Sequence, residues 1–239
     1  MKKINYFFVT MLFFMSFLGF SQKKEVAVVA FYADKNIDLS DVGLSGAAII
    51  SELANDSSFN LQPILEKFHT KFFNEYAKKF PFEISPEQIV LTNSEYQNFE
   101  PEFDTRVGKN QYAVIDGYHA VNSHYGKNNI KNLSKIFADK DGIMFVYITF
   151  SFQKGFGVGG TATTKMQAYT NIVLYNKKGE KVFSINESAN SKKTGAMVGG
   201  VPVMKVDKVL PMCESALEEL MKDLDKKLQK IIDKSAKKL

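Results

Sequence analysis

The sequence predicts an α/β (α+β) fold in which a mixed sheet, ending in a C-terminal antiparallel meander, is covered by helices. Three observations carry that prediction. Residues 143–152 (IMFVYITFSF) are apolar on both parities as far as Phe150, as a central strand covered on both faces requires. Residues 161–175 and 180–186 are strand-forming runs joined by Asn-Lys-Lys-Gly at 176–179, a meander with its turn. Two long stretches, 61–79 and 207–235, instead carry apolar residues three and four apart, the stripe of an amphipathic helix.

The chain of 239 residues opens on a leader. Lys2 and Lys3 precede an almost wholly apolar run at 4–20, and Gly19-Phe20-Ser21 places small residues at the −3 and −1 positions of a cleavage site. This is the pattern of a secretory signal peptide over 1–21, with Gln22 starting the mature chain. The run is short against the roughly 20 residues of a membrane span. The expected mature unit is a single α/β domain over 22–239, exported to the periplasm or outer envelope.

Composition narrows the function. At 45% hydrophobic and 24% charged the chain is globular, neither disordered nor polytopic. Losing Lys2 and Lys3 lowers 31 basic residues to 29 against 26 acidic ones, a mild net charge of +3. Arg106 is the sole arginine, which speaks against the guanidinium forks of nucleic-acid readers and phosphate clamps. One cysteine excludes an internal disulfide, and Cys213 lies in an apolar helical stripe, so it reads as core.

Along the mature chain, 25–32 (EVAVVAFY) is a short apolar, β-branched run, read as a buried strand. Residues 34–60 read as a long loop with a helical turn near 47–53. In the helix at 61–79, Leu61, Ile64, Leu65, Phe68, Phe72 and Tyr76 form one stripe, Pro63 suits the first turn and Pro81 ends it. Residues 88–92 (QIVLT) read as a short edge strand and 112–121 as a strand. A polar loop over 122–129 leads into a helix over 129–138 carrying Ile130, Leu133, Ile136 and Phe137. After the meander, 190–206 reads as a Gly-containing connector. Asp207 is placed to cap the last helix, whose Lys-rich end complements the helix dipole.

The order β–α–(β)–β–α–β–β–β–α resembles the periplasmic α/β domain shared by the TolB amino-terminal domain, the curli-secretion protein CsgG and the penicillin-binding-protein activator LpoB. The resemblance is carried by Val26 to Tyr32 after the leader, the helix at 61–79, NLSKIFADKDGIMFVYITF at 132–150, NKKGEKVF at 176–183 and the closing helix. The lipobox cysteine common among such lipoproteins is absent, and 34–60 and 82–110 are longer than the unit needs. The resemblance implies a CsgG/TolB-N-like envelope protein working by protein–protein contact or assembly.

No motif fixes a reaction. Gly155-Phe-Gly157-Val-Gly159-Gly160 spells G-x-G-x-x-G, but a dinucleotide site needs a helix next, and TATTKMQAYTNIVLY is strand-like. A Gly-rich hairpin loop is the better reading. His69 is expected beside the stripe of its helix, facing solvent or capping. His119 and His124 are five apart, on opposite faces of an extended strand. No catalytic residue, cofactor site or metal site is therefore assigned. The sequons at Asn55, Asn132 and Asn186 are read as chance matches.

The most unusual feature is the pair of Gly-bearing segments 155–160 and 195–200. In an antiparallel meander they fall at the same end of the sheet. The candidate interaction surface is Gly155, Phe156, Gly157, Val158, Gly159, Gly160, Met197, Val198, Gly199, Gly200 and Val201, extended by Met204. Exposed Phe, Val and Met there would form an apolar patch for a partner or a membrane. The expected function is a non-enzymatic exported envelope accessory or binding protein, with an envelope protein as partner. An oligomeric assembly or pore component and a periplasmic hydrolase are the alternatives. Membrane association and a homo-oligomer stay open.

Overall fold

The computed structural model describes residues 23–42, 53, 56, 58–102, 111–121, 127–158, 160–198, 201–203 and 206–235. The leader, the turn expected near 47–53 (Leu53 apart), most of the loop at 122–129 and His124 lie outside the described residues. The elements follow in chain order: β1 (Glu25–Asp34), α1 (Gln62–Lys71), β2 (Glu83–Ile84), α2 (Glu87–Leu91) and α3 (Ser94–Gln97). Then come β3 (Tyr112–Val114), α4 (Lys127–Ile136), β4 (Gly142–Val158), β5 (Thr161–Asn176), β6 (Lys181–Val198), β7 (Val201–Val203) and α5 (Val209–Ser235).

The seven strands form one mixed sheet, ordered β2-β1-β4-β5-β6-β7, with β3 also on β1. β1 pairs in parallel with β2 and β4, and the rest of the sheet is antiparallel. The expected α/β architecture with its C-terminal meander is the one found.

Apolar side chains on both parities of β1 and β4 allow two cores. On one face Val28, Phe31, Met144, Val146, Ile148 and Phe150 meet α1 and α5. On the other Val29, Ala30, Tyr32, Ile143 and Phe145 meet Val90, Tyr96 and Leu133 from α2, α3 and α4. The register against β4 skips Val29, a bulge that turns Val29 and Ala30 to the same side and reverses the alternation beyond them.

The helix expected at 61–79 begins as α1, with Pro at its start. It continues as a π turn over Phe72–Tyr76 and a 3₁₀ turn over Ala77–Lys79. α1 lies beside α5. Lys67 Nζ reaches Glu218 at 2.8 Å, Lys71 Nζ reaches Asp225 at 3.2 Å, and the buried Tyr76 hydroxyl donates to the Met221 carbonyl at 3.1 Å. Cys213 is fully buried in α5, as its stripe predicted, and burial pushes its thiol pKa well above the ordinary range.

Four expectations need correction. Residues 88–92 are not an edge strand, because Pro86 sets up a helix start and Glu87–Leu91 buries only Val90. The edge strand is β2. The strand expected at 112–121 pairs only over Tyr112–Val114, and the chain then turns at Gly117, whose φ is +81°. The strand expected at 180–186 runs on to Val198, so most of the supposed connector is sheet. His69 is no free surface residue: its Nε2 lies 2.6 Å from Glu87 Oε1, which also accepts the Tyr118 hydroxyl at 2.9 Å.

β6 carries its own irregularity. Between Lys165/Thr194 and Gln167/Asn190 the register breaks, leaving residues 191–193 opposite Met166. Ser191 Oγ accepts the Met166 N–H at 3.0 Å in place of a ladder bond. Ser215 Oγ on α5 accepts the N–H of Lys192 at 3.1 Å and that of Lys193 at 3.5 Å. The bulge is thus turned toward the helix.

Candidate functional site

The site is built where the three long strands outrun the second helical layer. From Phe152, the last core residue of β4, to Val158 is about 20 Å at the usual strand rise. β4 ends at Val158 and β5 begins opposite it at Thr161, and between them Gly160 takes a φ of +87°, which only glycine adopts freely. β6 ends at Val198, which pairs with Val201, the first residue of β7. Residues 155–158 of the Gly-rich segment belong to β4, paired antiparallel with β5, and a strand, not a helix, follows from Thr161. Glu180, 20 residues beyond Gly160, sits by the Asn176 turn, where its N–H donates to Asn176 Oδ1 at 3.0 Å.

The two segments meet. Val158, Thr161, Val198 and Val201 form one cross-strand row, and Gly157, Ala162, Met197 and Pro202 the next. Neighbouring rows face opposite sides of a sheet. Met197 is 2% exposed and belongs to the core beneath α5, with Ala162 packed against it. Met197 is therefore removed from the expected exposed patch: its row points inward, because one residue along a strand reverses the face.

On the outer side Phe156 is 82% exposed, Val158 70% and Val198 53%. Among the described residues only one other large apolar side chain, Ile89, is exposed, so apolar exposure is concentrated at this tip. Farther down the same face the side chains are polar and bonded to one another. Tyr169 Oη donates to Asn186 Oδ1 at 2.6 Å, and Asn186 Nδ2 donates to Ser184 Oγ at 2.8 Å. There burial and the nearby Tyr169 and Tyr175 push the Tyr147 hydroxyl pKa up to about 12. Gly159, Gly199, Gly200 and Met204, and the side chain of Val201, lie outside the described residues.

A bulge shapes the tip. Gly155 and Phe156 both oppose Thr163, between the pairs Lys154/Thr164 and Gly157/Ala162. The carbonyls around the bulge are met by a row of threonines. Thr161 Oγ1 donates to Val158 O at 2.9 Å, Thr163 Oγ1 to Phe156 O at 3.2 Å, and Thr164 Oγ1 to Gln153 O at 3.0 Å. A Cβ on Gly157 would collide with Ala162 Cβ and the Thr161 carbonyl oxygen, so the strands approach there only because this residue is glycine. The TATT run opposite GFGV was the sequence signal for this arrangement.

The electrostatics are one-sided. Residues 153–168 and 188–206 contain Lys154, Lys165, Lys192, Lys193 and Lys205 and no Asp or Glu. Lys192 reaches Glu219 of α5 at 3.2 Å and is otherwise exposed. Asp41 accepts the backbone N–H of Lys154 at 3.0 Å. Among the described residues no group of three or more His, Cys, Asp and Glu is placed to hold a metal ion. His119 bonds through Nε2 to the Tyr96 carbonyl at 2.9 Å.

No known family matches the chain's sequence, and no curated protein matches it. Among solved structures, it is similar to a neuraminyllactose-binding hemagglutinin homolog from Helicobacter pylori. The identity is 9% over 90% of this chain and 91% of the other, with a TM-score of 0.36. It is also similar to lipoprotein GNA1162 from Neisseria meningitidis, at 12% identity over 84% of this chain and 99% of the other, TM-score 0.29. Scores this low transfer neither a fold family nor a function. No described helix is long and apolar enough to cross a membrane.

Proposed function

We propose that the protein is a non-enzymatic accessory of the bacterial cell envelope, exported by its leader, which acts by surface contact through the tip of its meander. The observation that carries this reading is the exposure of Phe156, Val158 and Val198 together on the outer face, on strands backed by the buried Met197. Leaving such residues in water is unfavourable, and a contact that covers them recovers that cost. The leader pattern and the resemblance to the CsgG, TolB and LpoB domains support the compartment.

In-cell crosslinking with envelope fractionation tests it, comparing the wild-type chain with a Phe156→Ser/Val158→Ser double variant. The expected result is an envelope-associated species that the double variant loses while staying folded. An identical pattern for both proteins would sink the tip as the contact surface.

A further inference from the structure

The apolar tip and its lysines together identify what the tip touches. We infer that it is a peripheral membrane contact, inserting Phe156, Val158 and Val198 between the headgroups of an anionic bilayer. This rests on the tip being the contact surface and adds the nature of its partner.

Two observations and one physical requirement converge. The apolar residues sit together at the end of the sheet where β4 ends at Val158 and β5 begins at Thr161, exposed side by side as an interfacial anchor requires. The surrounding segments carry lysines and no acid, which complements a negatively charged surface. Lys165 lies on the outer face, two residues from Thr163 along β5, whereas Lys154, just before the bulge, pairs with the buried Thr164 and so stands on the opposite face. Neither has a salt-bridge partner among the described residues; Lys165 can lay its methylene stem along the apolar outer face with its ammonium group at headgroup level, and Lys154 flanks the tip from the other face. The acids nearby, Asp41 and Glu219, engage the Lys154 backbone and Lys192. Third, the two signals need each other. Three apolar side chains alone give weak, reversible attachment, and stable peripheral binding takes a basic patch as well.

The chain contains no tryptophan, so a single substitution reports on this site alone. Phe156→Trp, added to phosphatidylglycerol-rich vesicles, is expected to give blue-shifted emission quenched by brominated acyl chains. The shift should be absent with pure phosphatidylcholine and lost when the salt is raised far above the physiological level. A Lys154→Gln/Lys165→Gln change on the same background should weaken binding by on the order of tenfold. Because emission is read at position 156, any attachment through the apolar segment 4–20 leaves it unmoved.

Unshifted emission with anionic vesicles would overturn the bilayer inference, and so would an equal shift on phosphatidylcholine. A photocrosslinker at position 156 in cells then separates the two readings. Capture of a discrete protein would leave the tip as contact surface and replace the lipid. Capture of neither protein nor lipid would remove the tip reading as well.

Discussion

The Tyr96 hydroxyl donates a 2.8 Å hydrogen bond to the carbonyl of Val29, the extra residue of the bulge in β1. It also accepts the His119 N–H at 3.1 Å. β2 and β3 cover only the two ends of the outer edge of β1, and this hydroxyl fills part of the gap between them. Tyr96→Phe would leave the fully buried Val29 carbonyl and the half-buried His119 N–H without this partner. We expect a loss of about 1–3 kcal/mol, read as a lower midpoint in urea with an unchanged slope. A midpoint equal to wild type would mean that water or a shifted strand replaces the hydroxyl.

Glu87 holds α2 against α1 through His69 and against the following segment through Tyr118. Glu87→Ala removes the acceptor of the buried Tyr118 hydroxyl, so the melting temperature should fall by about 2–8 °C. Glu87→Gln, which still accepts from Tyr118, should recover part of that fall. Equal melting of all three proteins would show that this contact contributes nothing.

Cys213 should behave as an inert thiol. Fully buried, with its ionisation suppressed by desolvation, it is predicted to resist Ellman's reagent in the native protein and to react only as the chain unfolds. Stoichiometric reaction within the mixing time, without denaturant, would contradict the packing of α5.

Burial raises several tyrosine pKa values: Tyr147 to about 12, and Tyr76, Tyr96 and Tyr118 further. In the unfolded chain these groups ionise near pH ~10. Their contribution to stability is full below that pH and declines as pH rises, because only the unfolded state loses the proton. For Tyr147 the decline spans the interval up to about 12. Denaturation curves across this range should show it, with tyrosinate absorbance rising at unfolding. A stability independent of pH above 10 would refute it.

The tip should be separable from the core by one residue. Phe156→Ser changes an exposed side chain and is expected to shift stability by less than about 0.5 kcal/mol. Met197→Ala empties a core position beneath α5 and should cost about 2–4 kcal/mol. Deleting 195–200 would remove Met197 with the turn, so a loss of stability there says nothing about contact. Similar losses for both substitutions would mean that Phe156 is covered in solution.

The mixed sheet, the meander and the two long helices were legible because each rests on a pattern that survives context: both-parity apolarity at 143–152, and stripes in α1 and α5. The segments that misled lack such a pattern. QIVLT is β-branched enough for a strand, but its five residues follow Pro86, and a helix buries Val90 as well as a strand would. The bulge in β1 is invisible because VAVVAFY is apolar on both parities, so reversing the alternation exposes nothing. At the tip the joint position of the two Gly segments was readable from meander geometry. The inward turn of Met197 was not, because 190–206 was read as a connector, so the alternation that turns Phe183 and Ile185 inward was not carried on to Met197.

The bulge at 191–193 determines what the protein does beside copies of itself. The edge of β6 is long, and among the described residues only its last three positions pair with β7. A flat edge of that length would template strand addition and aggregation. A strand offered from outside would find the N–H groups of Lys192 and Lys193 already engaged by Ser215, two ammonium groups beside them, and a step in register at that point. Ser215 is thus a guard on colloidal behaviour. Replacing it with a residue that frees those amides would show itself first as turbidity in concentrated solution.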